Sequence, residues 1–277
     1  MMLEMGGVCF SYTSTPVLDN ISLKIHGAEL VSIVGPNGVG KSTLLHCMNK
    51  ILKPTSGIVT IDDKSLDEYS LKELAKRLGY VPYVPSDSFP LSVIDTILMG
   101  RHPHTGWKFT KEDVRIAYDT LSSMGIDDLA LRPFNGLSAG QRQKVMLARG
   151  FVQEPKILLL DEPTSNLDIK HMLEVMKMLK KMSTEKEITV IMVNHDLNIA
   201  SKFADRIVLM SEGGIFAAGS PMEVVTRDNI RKVYGVEAEV VTDLGKPHVI
   251  LRDVVSKSHL SKECDIAQNP VKTSIPG

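Results

Sequence analysis

Apolar residues along this chain fall into two spacings. Continuous apolar runs occupy residues 29–34, 156–160 and 188–193, and 156–160 (KILLL) has the pattern of a strand buried on both faces of a parallel sheet. Shorter runs at 79–83, 205–210 and 214–218 complete a sheet region. Residues 8–12 and 17–25 alternate weakly around Ser14-Thr15-Pro16, which predicts two antiparallel strands joined by a turn. A further strand is expected at 58–61, after the turn at 53–57. Helical spacing appears at Leu44, Leu45 and Met48, and again at Ile169, Met172, Leu173, Met176 and Leu179, where the methionines read as core filler. Residues 91–150 change character and read as helical, with one helix over 92–101 and another carrying Val114, Ala117, Tyr118 and Leu121. Ser70 with Glu73, Thr110 with Asp113, and Ser138 with Gln141 have capping-box spacing. Residues 84–90 carry two prolines and predict a loop. Residues 221–234 predict short helices, 236–251 a small β appendage, and 256–277 a mobile polar tail.

The 277 residues suffice for one large domain or two small ones, and a hydrophobic content of 43% supports a sizeable core. The formal charge of −1, from 32 basic and 33 acidic residues, carries no nucleic-acid signature. Cys9, Cys47 and Cys264 are scattered, which indicates neither a disulfide framework nor a zinc site. No apolar run approaches a membrane span and no signal pattern opens the chain. A soluble protein of a reducing compartment is therefore expected, with any membrane role supplied by a partner.

Chemistry concentrates in 35–43 (GPNGVGKST), a G-x-x-x-x-G-K-S phosphate-binding loop between a buried strand and a helix. Gly35, Gly38 and Gly40 let the backbone turn its N–H groups to one spot. Lys41 reaches outer phosphates and Ser42 offers a hydroxyl to Mg²⁺. The helix start adds its dipole. Asp161 and Glu162 end the apolar run 156–160, where open α/β sheets place ligands. Beside a phosphate loop, a buried acid there can hold Mg²⁺ and a second can orient water. His195 falls at the end of 188–193, at the same sheet edge. Ser138–Gln141 is a plain helix start and, equally, a place where an anion can bind. Arg101-His-Pro-His104 contains an H-x-H pair that could hold metal, although two histidines around a proline in a polar loop read more simply as exposed. Trp107 in that loop is a candidate contact residue.

Taken in order and spacing, these motifs resemble the ATP-binding cassette of ABC transporters, over roughly residues 1–240. The resemblance implies a phosphate-loop α/β fold with a mostly parallel core sheet, an N-terminal antiparallel β region and a helical subdomain inserted at about 91–150. Residues 241–277 would form a small C-terminal appendage and tail. It implies that Tyr12 stacks on adenine and that Gly35, Pro36, Asn37, Gly38, Val39, Gly40, Lys41, Ser42 and Thr43 bind ATP. Ser42 and Asp161 would hold Mg²⁺, while Lys41, Glu162 and His195 act in hydrolysis. Ser138, Ala139, Gly140 and Gln141 would serve the ATP of a second copy, and Asp168 would lie in a loop crossing the dimer interface. The implied partners are a second copy, a polytopic membrane permease and, indirectly, an extracytoplasmic substrate-binding protein. The implied place is the cytoplasmic face of the membrane.

Two positions depart from the family pattern. Ala139 replaces a glycine, which a negative φ tolerates. Tyr83 stands where the family has a glutamine that contacts Mg²⁺ or water and links to the permease, and a phenol has no amide carbonyl to offer. Residues 93–104 and 229–236 are similar in wording to importers of ferric siderophores, haem and cobalamin. A soluble ABC ATPase uncoupled from transport, and an ATP-binding regulatory module with weak hydrolysis, are the other readings open to the sequence.

Overall fold

Residues 2–83, 91–105, 108–165 and 167–255 are described in the structure, a computed structural model. The chain opens with β1 (Met2–Ser11), β2 (Pro16–His26) and β3 (Leu30–Val34), and then α1 (Lys41–Met48). Next come β4 (Ser56–Ile61), β5 (Lys64–Ser65), α2 (Leu71–Ala75) and β6 (Leu78–Val81). Helices α3 (Val93–Leu98), α4 (Lys111–Ser123) and α5 (Ala139–Phe151) follow. The chain then alternates through β7 (Ile157–Asp161), α6 (Ile169–Glu185), β8 (Thr189–Val193), α7 (Leu197–Phe203) and β9 (Arg206–Ser211). It closes with β10 (Gly214–Gly219), α8 (Pro221–Val224), α9 (Arg227–Tyr234), β11 (Val236–Asp243) and β12 (Lys246–Val254).

The six-stranded core sheet has the order β10-β9-β3-β8-β7-β6, parallel throughout except for the edge strand β10. Every residue of β3, β7 and β8 is buried, as strands covered on both faces require. Their alternate side chains sort into two cores. Leu30, Val34, Leu158 and Leu160 join the helices α3 to α7, whereas Val31, Ile33, Ile157 and Leu159 face α1 and the antiparallel sheet β2-β1-β4-β5. The result is three layers: antiparallel sheet with α1, core sheet, and helices. The expected fold class is the one observed. Parallel pairing aligns Ile33, Asp161 and Val193 across β3, β8 and β7, which brings three strand ends to one edge.

All three capping boxes form, at Ser70, Thr110 and Ser138. Other expectations are corrected. The helix carrying Leu44, Leu45 and Met48 ends at Met48, and the strand expected over 79–83 stops at Val81, so Tyr83 stands beyond it, 46% exposed. Ile169, placed by its spacing on the buried stripe of α6, is 74% exposed because it opens the helix; Val175, Met176 and Leu179 carry the burial. The 101–104 segment is not a free polar loop. Arg101 is buried, and its guanidinium donates to Asp113 Oδ1 at 3.0 Å, Glu154 Oε2 at 2.7 Å and Val152 O at 2.8 Å. His104 Nε2 lies 2.8 Å from Gln153 O, and the Gln153 amide donates to Leu78 O at 3.0 Å. This chain of bonds ties α3 and α4 to the foot of β6. The appendage over 236–251 is a β11–β12 hairpin packed on α7, with Asn198 bonded to both the N–H and the C=O of Val249. Residue 240 lies inside β11. Trp107, the loop at 84–90 and the tail at 256–277 lie outside the described residues.

Candidate active site

The loop after β3 needs its glycines. Gly38 and Gly40 have φ of 82° and 97°, a region other residues avoid. A Cβ on Gly40 would stand 2.8 Å from Val17 O, and one on Gly35 would stand 2.4 Å from Met210 O. Gly40 caps α1 without a side-chain bond, so the N–H groups of the first turn keep their capacity for an anion. Lys41 is buried, and its ammonium donates to Gly35 O at 2.8 Å and Pro36 O at 2.7 Å. Burial lowers its pKa, and the charges of Glu162 and Asp161 oppose that shift.

Ser42, one residue on, donates its hydroxyl to Asp161 Oδ1 at 2.9 Å. Burial pushes the Asp161 carboxyl up, and the Ser42 bond only partly offsets it. A hydroxyl and a carboxylate held together are hard oxygen donors of the kind a divalent magnesium ion takes alongside substrate phosphates. The donor set therefore fits the expected metal.

Glu162 follows in a left-handed conformation, φ 50°. That turn leads its side chain back over the strand end. Ser165 Oγ donates to Oε2 at 2.8 Å, and His195 Nε2 meets Oε1. Burial raises the Glu162 pKa, but these two bonds, with the charges of His195 and Lys41, outweigh it and hold the group below the usual glutamate value. Glu162 is thus ionised at neutral pH, with its oxygens oriented by two neighbours. Tyr12, just past β1, is 63% exposed, with its ring edge-on to Phe10 at 4.9 Å. It is not the half-buried strand residue its position suggests, and a planar ligand can reach it.

The residues at 138–141 stand apart, at the start of α5. Ala139 is the first helical residue and has no positive φ, so its methyl is unstrained. Ser138 Oγ accepts from Gln141 N at 3.3 Å, and Gln141 Oε1 accepts from Ser138 N at 3.0 Å. Asp168 caps α6 by accepting from His171 N at 2.9 Å.

Three residues near the site escaped the sequence reading. His46 Nε2 and the Tyr80 hydroxyl lie 2.9 Å apart, with Tyr80 pushed up to about 12 by burial and by Asp161. His46 lies one helical turn past Ser42, a spacing that could have flagged it. Tyr234, on α9, is also pushed up to about 12 by burial, with the Gly35 amide pulling the other way. Its hydroxyl nevertheless completes no hydrogen bond. Nothing in the sequence links positions 35 and 234.

A phosphate-loop ATPase core is what this fold and edge define. Residues 18–165 match the model of the ABC transporter family, and the chain belongs to that family. An uncharacterized ABC transporter ATP-binding protein of Methanocaldococcus jannaschii is 45% identical, over 90% of this chain and 98% of that protein. A hemin import ATP-binding protein of Escherichia coli O157:H7 is 38% identical, over 87% of this chain and 95% of its own. Relatives at 34–35% identity are named for import of petrobactin, cobalamin and iron(3+)-hydroxamate. Among solved structures, a dimeric ATP-binding cassette bound to ADP and Pi in a post-hydrolysis state is 30% identical, with a TM-score of 0.69 over 79% of this chain and 98% of that one. This chain is accordingly an ABC-type ATPase. No helix among the described residues is long and apolar enough to cross a membrane.

Proposed function

We propose that two copies of this chain pair head to tail on the cytoplasmic face of a membrane and power an importer for ferric siderophore, haem or cobalamin. The observation that carries this reading is the meeting of Lys41, the Ser42–Asp161 pair and the Glu162–His195 pair at one sheet edge. ATP would lie along Gly35–Thr43, with Tyr12 against its base and Lys41 exchanging two backbone carbonyls for phosphate oxygens. Ser42 and Asp161 would hold Mg²⁺, whose charge would offset the negative charge developing on the phosphates. Glu162, ionised and held by Ser165, would orient the attacking water or take its proton, and His195 would contact the outer phosphate. Ser138, Ala139, Gly140 and Gln141 would close over the partner copy's ATP, and the loop carrying Asp168 would cross between copies. ATP then joins the two copies, and hydrolysis releases them. A permease docked on the α3–α5 region would convert that cycle into alternating access, with an extracytoplasmic binding protein delivering the cargo. The relatives named for import support the transport class.

The test is a pull-down of the chain from native membranes in mild detergent. The expected result is a polytopic membrane protein in equal copy number, whose uptake of ferric siderophore, haem or cobalamin then depends on ATP. Recovery of soluble partners alone would overturn the importer reading.

A further inference from the structure

His171 belongs to no motif, yet it touches two of them. Its ring packs on the face of Gly140: a Cβ built there would stand 2.8 Å from both Cγ and Cδ2 of the imidazole. Its Nδ1 lies 2.8 Å from Asp168 Oδ2, while its own N–H donates to Asp168 Oδ1 at 2.9 Å. Both carboxylate oxygens of Asp168 are therefore engaged by one residue. Three residues further along α6, Glu174 accepts from Lys144 on α5 at 2.8 Å. The starts of α5 and α6 are thus joined at two successive levels, first by a ring nested on a glycine and then by an ion pair. One helix belongs to the α3–α5 region and the other to the core.

We propose that His171 is a positioning residue for the dimer-facing site. It fixes the signature residues 138–141 relative to Asp168, so that both reach the partner copy's ATP together. The inference rests on the head-to-tail reading above. It also gives Gly140 a second reason to be glycine: besides close approach of a phosphate, any side chain there collides with the imidazole.

The two reasons separate experimentally. In the E162Q chain, the ATP concentration giving half-maximal dimer is read by light scattering and divided by the ATP Kd of the isolated copy, which cancels any general weakening of the fold. The expected ratio rises about tenfold in H171A, within the range of coupling between sites, and stays near the parent in H171Q, whose amide can still reach Asp168. G140A is expected to raise the ratio further, and adding H171A to G140A is expected to recover part of that loss, because the methyl then has room. An unchanged ratio in H171A overturns the inference, and so does a G140A/H171A chain no better than G140A. A parent chain that stays monomeric at every ATP concentration overturns the head-to-tail reading itself.

Discussion

At the scale of single residues, the proposed site combines side chains that would act on phosphate or water with residues that make room for them. Gly40 is of the second kind. Its φ of 97° and the 2.8 Å approach to Val17 O mean that Gly40→Ala should cost about 1–3 kcal/mol, read as a lower Tm, and should weaken ATP binding. Glu162 is of the first kind. Glu162→Gln keeps the shape and removes the base, so hydrolysis should fall by about 10²–10⁴-fold while an ATP-bound dimer accumulates. An unchanged ATPase rate would remove Glu162 from that role. Tyr83 is exposed beyond β6, where the family's glutamine amide would reach the site. Tyr83→Gln should raise permease-stimulated hydrolysis, and an unaltered rate would show that the phenol is no handicap. These residues were legible because phosphate chemistry demands fixed side chains at fixed spacing. His171 was not. Its role comes from packing against Gly140, distant in sequence, and a backbone atom leaves no pattern to search for.

At the scale of elements, capping and periodicity held where one helix or strand decided its own fate, as at Ser70, Thr110 and Ser138. They failed where a distant element decided it. Arg101 reads as one more charge in a polar loop, but the ends of α4 and α5 enclose it. Burial raises the pKa of its partner Asp113, yet the bonds from Thr110 and Arg101 outweigh this and hold the group below the usual aspartate value. The depressed value stabilises the fold above the unfolded-state pKa near about 3.9; that stability is lost as pH falls through the folded value. Asp113→Asn should therefore flatten the acid limb of the Tm–pH curve. Asp113→Ala should cost about 3 kcal/mol, the low end for a broken buried pair because Arg101 keeps Glu154 Oε2 at 2.7 Å. A Tm unchanged at neutral pH would show that Arg101 finds enough elsewhere.

At the scale of the whole molecule, the three layers followed from the apolar runs and the phosphate loop together, because parallel strands covered on both faces leave few arrangements. The C-terminal hairpin was less legible. Ala238 and Val249 are buried against the core helices, and Asn198 bonds twice to Val249. A chain ending at Val240 leaves β11 without its partner and should lose about 3 kcal/mol, from two hydrogen bonds and one buried aliphatic side chain. Chemical denaturation would measure the loss, and an intact Tm would make the hairpin a true appendage. The strand order has a further consequence, for synthesis. β3 carries the phosphate loop but lies between β8 and β9, so an emerging chain makes its nucleotide loop early and the neighbours that hold it late. Until Arg206–Ser211 has left the ribosome, β3 lacks one of its two flanking strands. ATP therefore has no folded site to stabilise on the nascent chain. Ribosome-bound chains ending before residue 206 should gain no protection from proteolysis when ATP is added, whereas the released full chain should.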